Sequence, residues 1–178
     1  RHDVFHNELA TKFPESYDAH IDKNLVYSGS YSLTDTLENV PLDMGKLVLS
    51  PTRTYAPIIK QILNTYNAQD INGIVHCSGG AQTKILHFID HLHIIKDNMF
   101  PVPPLFQIIQ EESKTNWKEM YQVFNCGHRM ELYVNPEIAQ DIIEISQSFG
   151  VEAQIIGRVE ASEEKKLTIK SEYGTFEY

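Results

Sequence analysis

The stretch Gly73-Ile-Val-His-Cys-Ser-Gly-Gly-Ala-Gln-Thr-Lys84 sets the frame for this chain. Ile71, Ile74 and Val75 form a short apolar run, the pattern of a strand buried in a sheet. His76, Cys77 and Ser78 lead into Gly79-Gly80, where the backbone is free of the limits a Cβ imposes. Ala81-Gln-Thr-Lys-Ile-Leu86 has helix-forming composition, and with Ile89 its apolar spacing predicts a helix to about His91. Strand, glycine turn and helix together aim backbone N–H groups at an anion. Many α/β proteins also turn on two glycines for packing alone, so both readings stay open from this stretch.

Upstream, Val4 to Phe13 reads as an amphipathic helix stopped by Pro14, and residues 15–43 as a polar surface excursion. Lys46-Leu-Val-Leu49 reads as a strand. Ile58, Ile59, Ile62 and Leu63 stripe a helix from Ala56 to Tyr66. Downstream, Ile94-Ile95 suggests a strand, and Pro103 or Pro104 suits the first turn of a helix over Leu105 to Glu112. Asn116 is placed to cap a helix through Phe124, and Arg129 to Val134 alternates like a half-buried strand. Pro136 to Phe149 carries Ile138, Ile142, Ile145 and Phe149 at helical spacing, with Gly150 as its stop. Val151 to Val159 and Lys166 to Ile169, joined by a polar turn, read as a hairpin. The expected class is α/β (α+β-like), a mixed sheet flanked by helices in a single domain.

The 178 residues suffice to bury a sizeable core, and 42% hydrophobic with 22% charged residues describes a globular chain. Fifteen basic against 24 acidic residues give a formal charge of −9, which argues against general binding to nucleic acid or anionic membranes. No apolar run approaches the roughly 18 residues that span a bilayer, and no signal peptide is evident. Cys77 and Cys126 do not make a disulfide framework, which favours a reducing, cytoplasmic setting. An opening at Arg1 rather than Met is read as a piece of a longer polypeptide.

Four groups of residues could carry chemistry. His76 can donate to a substrate oxygen or move a proton, or simply be bonded into the core. Ser78 beside it invites a Ser-His hydrolase reading, but the Gly-x-Ser-x-Gly elbow is absent. His87, His91 and His93 form a second group. His87 and His91 would share a helix face, but Phe88 stands where a catalytic zinc helix needs Glu, so no metal site is expected. Arg53, in Pro51-Thr-Arg-Thr-Tyr55, suits a phosphate or carboxylate, or a surface salt bridge. Glu119-Met-Tyr-Gln-Val-Phe-Asn-Cys-Gly127 ends a helix oddly, and Cys126 within it reads as an inert buried thiol.

Taken together, these segments resemble the phosphoribosylformylglycinamidine cyclo-ligase (aminoimidazole ribonucleotide synthetase) family, in its C-terminal domain. The resemblance rests on Pro51 to Tyr55, on His76-Cys-Ser-Gly-Gly80, on Glu119 to Gly127 at every fixed position, and on Gly157-Arg-Val159. Ala81 departs from the third glycine of the turn, His128-Arg129 from smaller residues, and 15–43 looks like an insertion. The resemblance implies ATP-dependent closure of formylglycinamidine ribonucleotide to 5-aminoimidazole ribonucleotide, with ADP and phosphate released. It implies His76 at a substrate polar contact, Ser78, Gly79 and Gly80 at an anion, and Arg53 and Asn125 as pocket wall. It further implies ATP and Mg2+ held mainly by an N-terminal domain that this sequence lacks, and a homodimer in the cytoplasm. Two alternatives accompany it. One is the second domain of a formylglycinamidine synthetase, selenophosphate synthetase or thiamine-phosphate kinase; the other is a non-catalytic phosphometabolite-binding domain.

Overall fold

The computed structural model describes residues 2–178, which form two compact units. The first comprises residues up to Thr52 together with Val102–Asn116; the second comprises Arg53–Pro101 and Trp117–Tyr178.

The described residues of the first unit hold the α-helices α1 (Glu8–Lys12), α2 (Met44–Val48) and α4 (Pro104–Ser113). The expected helix from Val4 is shorter, because Val4 and Phe5 are engaged in backbone bonds with the 29–31 segment instead. Residues 15–43 are mostly exposed, yet Val26 and Tyr27 are buried. The expected strand over Lys46–Leu49 is overturned. Asp43 accepts a hydrogen bond from the Lys46 N–H at 2.8 Å, an N-cap that starts α2 there. Glu112 on α4 is tied to the N-terminal segment by the Ser30 N–H (2.8 Å) and hydroxyl (2.7 Å).

The second unit contains the helices α3 (Ala56–Thr65), α5 (Trp117–Val123) and α6 (Pro136–Ser148). Its strands are β1 (Ile71–His76), β2 (Leu92–Lys96), β3 (Met130–Val134), β4 (Gly157–Ala161), β5 (Lys166–Ser171) and β6 (Gly174–Glu177). The class is mixed α/β as expected, but with two sheets. β1 and β3 form an antiparallel pair, and the other strands run in the order β4-β2-β5-β6. β1 is therefore half-exposed rather than buried within a larger sheet.

Alternation explains how the β1/β3 pair is used. Leu132 and Val134 turn toward α3 and α6, where they join Ile71 against Ile58, Ile62 and Ile142. Glu131 and Tyr133 therefore face the other way, toward the glycine turn and β2. Gly150, at φ 68, ends α6 and lets the Val151 N–H return to the Ser146 carbonyl, as its place after Phe149 predicts.

The expected hairpin of 151–159 with 166–169 does not form. β2 lies between β4 and β5, antiparallel to the first and parallel to the second. Ile94 and Ile95, both buried, suit it to that central place. Gly157 makes the insertion possible, since a Cβ there would lie 1.8 Å from the Ile95 carbonyl oxygen. The hairpin that does form is β5–β6.

Candidate functional site

β1 ends at His76, and the chain turns over Ser78 to Ala81. The Ala81 N–H donates to the Ser78 carbonyl at 2.7 Å, and Gly80 sits at φ 85, ψ −5. Those angles are those of the third residue of a type II turn, a position that favours glycine. Gly79 faces open space, with nothing within 4 Å of where a Cβ would stand. Among the described residues neither the Gly79 nor the Gly80 N–H reaches an acceptor. Beside them the Lys84 ammonium donates to Ser78 Oγ at 2.8 Å. A hydroxyl, an ammonium and two free N–H groups thus share one exposed turn, which is a donor set for an anion. Ala81 takes φ 43 with its side chain buried, so the turn accommodates a Cβ at that position.

The expected site residues separate into two groups. His76, Ser78, Gly79 and Gly80 are together, the first three exposed and Gly80 half-buried, and the His76 ring lies 6.5 Å from that of Tyr55. Arg53 is placed otherwise: Nη1 donates to the Gly150 carbonyl at 3.1 Å, so its segment reaches the end of β1 through Tyr55 rather than through the guanidinium. Asn125 turns its side chain on its own loop, Oδ1 accepting from the Gly127 N–H at 3.1 Å. Its carbonyl instead faces the glycine turn, accepting from Gln82 Nε2 at 2.6 Å.

Beneath the turn lies a buried polar network that sequence reading did not single out. Lys96, 1% exposed at the end of β2, donates to Glu131 Oε1 at 2.5 Å. The same ammonium donates to the Gln82 carbonyl (2.8 Å) and to Gln82 Oε1 (3.0 Å). His128 Nε2 lies 2.7 Å from Glu131 Oε1, and Tyr133 donates to Oε2 at 2.7 Å. Burial pushes the Glu131 carboxyl up, but the hydrogen bond from His128 and the Lys96 charge overcome it and hold it at about 2. Burial and then the Glu131 charge push the Tyr133 hydroxyl well above its ordinary range.

Cys77, His128 and Glu131 bring ligand atoms within 4.8 Å of one another. A cation there would have to displace Lys96, whose ammonium already occupies Glu131 Oε1. Burial, followed by the Glu131 charge, pushes the Cys77 thiol up to about 12, and burial pushes Cys126 up to about 12 as well. In native protein at pH 8, alkylation of both thiols should therefore proceed no faster than unfolding exposes them. Rapid labelling of either, followed by mass spectrometry, would contradict this burial.

The expected helix through His91 is corrected. A 3-10 run ends at His87, so His87 and His91 share no helix face. His91 Nδ1 is bonded at 2.8 Å to the Glu163 carbonyl, and His93 Nε2 at 2.8 Å to Thr168 Oγ1.

The profile described as AIR synthase related protein, C-terminal domain, matches residues 28–170. The chain belongs to that family. Proteins named phosphoribosylformylglycinamidine cyclo-ligase are similar to it. That of Syntrophus aciditrophicus is 32% identical over 171 residues, covering 84% of this chain and 47% of the relative. That of Brevibacillus brevis is 30% identical over 148 residues, covering 82% and 42%. That of Methanopyrus kandleri is 35% identical over 113 residues, covering 64% and 32%. The chain thus spans less than half the length of these relatives. Within this AIR synthase related domain the glycine turn and the Asn125–Gly127 loop meet through Gln82. No helix among the described residues is long and apolar enough to cross a membrane.

Proposed function

We propose that this AIR synthase related domain is the C-terminal domain of an ATP-dependent cyclo-ligase. The reaction is conversion of formylglycinamidine ribonucleotide to 5-aminoimidazole ribonucleotide in purine biosynthesis, with ADP and phosphate released. The observation that carries the reading is the exposed turn whose Gly79 and Gly80 N–H groups stand free beside Lys84 and Ser78. A phosphate oxygen there would accept from both N–H groups while the ammonium offsets its charge. His76, at the adjoining strand end, is placed to donate to a further polar atom of the substrate.

Mg2+ and ATP are assigned mainly to the protein's own N-terminal domain. Mg2+ takes oxygen ligands. The described residues group three ligand side chains only at Cys77, His128 and Glu131, a buried sulfur, nitrogen and oxygen set already engaged with Lys96. That set offers no oxygen cage for Mg2+. In this proposal the chain's part is to bind and orient the ribonucleotide. A homodimer in the cytoplasm completes the proposal.

The test is ADP release and imidazole formation by the full-length protein supplied with Mg-ATP and formylglycinamidine ribonucleotide. Turnover is expected, with Lys84→Met raising KM about tenfold through loss of one charge-assisted contact. Full-length protein that binds the ribonucleotide without consuming ATP would instead support a non-catalytic phosphometabolite-binding domain.

A further inference from the structure

We infer that Gln82 is the positioning residue that holds the two loops of the candidate site in register, and that Lys96 fixes the direction of its carboxamide. Gln82 is fully buried two residues beyond Gly80. A lysine ammonium has donors and no acceptor, so the amide atom 3.0 Å from Lys96 Nζ is the oxygen. The other amide atom is then the NH2 group, and it donates to the Asn125 carbonyl at 2.6 Å and toward the His128 carbonyl at 3.4 Å. Only one orientation of the amide satisfies both sides.

Lys96 also grips the Gln82 backbone carbonyl, so the residue is held at main chain and side chain alike. The ammonium is in turn fixed by Glu131, and Glu131 by His128 and Tyr133. Through this one side chain β2 and β3 set the separation between the glycine turn and the Asn125–Gly127 loop. In catalytic terms Gln82 touches no substrate; it acts through the N–H groups of the turn and through the loop opposite. The inference rests on the proposed phosphate role of that turn only for its kinetic consequence.

Gln82→Glu tests it. The shape is nearly unchanged and the Lys96 contact persists, but the donor to the Asn125 carbonyl becomes an acceptor and is lost. Hydrogen exchange of the full-length protein should show bonded amides loosening in both loops at once. Cys77, Ala81 and Thr83 report on one, and Gly127 on the other. Exchange should rise about tenfold or more in both, with β5 and β6 unchanged. KM for the ribonucleotide should rise about tenfold while kcat changes less. Loosening of the glycine turn alone, equal loosening everywhere, or no change would overturn the inference. Gln82→Asn, which keeps the amide but shortens its reach, must give the same paired loosening, and guards against a Gln82→Glu variant that fails to fold. Paired loosening in a protein whose wild type never turns over the ribonucleotide would leave Gln82's role standing and overturn the proposed function.

Discussion

Lys96→Met should lower the unfolding free energy by about 3–5 kcal/mol, the usual cost of stranding a buried charge. Glu131, 5% exposed, would keep His128 and Tyr133 but lose its cation. The pH dependence distinguishes this from mere loss of packing. In the wild type the Glu131 carboxyl is held at about 2, against an ordinary value of 4.5. A depressed carboxyl contributes stability that is fully present above the unfolded value and is lost as pH falls through the folded one. Wild-type stability should therefore fall between pH 4.5 and about 2, by on the order of 3 kcal/mol for this group. In Lys96→Met the carboxyl keeps the His128 hydrogen bond but loses the Lys96 charge, so it rises, and the loss of stability on acidification should be smaller than in the wild type. Lys96→Met/Glu131→Gln should regain much of the loss, because no buried charge remains. Urea unfolding across this pH range reads all three; a Lys96→Met variant with wild-type stability and wild-type pH slope would remove the network from the account.

Gly79→Val should reduce kcat/KM of the full-length protein about ten- to a hundredfold, as expected for one blocked charge-assisted anion contact. Stability should shift by no more than about 0.5 kcal/mol, since the new side chain enters open space on the surface. Gly80 behaves oppositely. Its φ of 85 makes any L side chain strained, so Gly80→Ala should cost about 1–2 kcal/mol of stability before any effect on binding. The pair separates ligand contact from backbone geometry, with kinetics and thermal unfolding measured on both. Wild-type kinetics in Gly79→Val, or a stability loss equal to that of Gly80→Ala, would return the turn to a packing role.

How far the sequence discloses this follows from the range of each interaction. Helices α3 and α6 are legible because Ile58 with Ile62, and Ile138 with Ile142 and Ile145, repeat at helical spacing against a single cluster. The turn is legible because Gly80 alone suits its φ. Lys46–Leu49 misleads because a short apolar run fits either element, and the deciding signal is one capping bond from Asp43. The apparent hairpin fails because β2, some sixty residues earlier, inserts between its strands, and nothing local to 151–169 announces it. Lys96 and Glu131 look like ordinary charged strand positions. Their pairing across 35 residues becomes visible only when β2 and β3 face the same turn. Lys96 directly after Ile94-Ile95 was the one local hint, a charge closing a doubly buried apolar run.

The most direct measurement of the central claim is a titration of full-length protein carrying 15N-glycine, followed by amide NMR. The two ligands compared are formylglycinamidine ribonucleotide and the corresponding ribonucleoside, which lacks the phosphate. The account predicts that the Gly79 and Gly80 amides shift with the ribonucleotide and stay in place with the ribonucleoside at equal concentration. Unmoved Gly79 and Gly80 amides in a protein saturated with ribonucleotide, or equal shifts with both ligands, would contradict it.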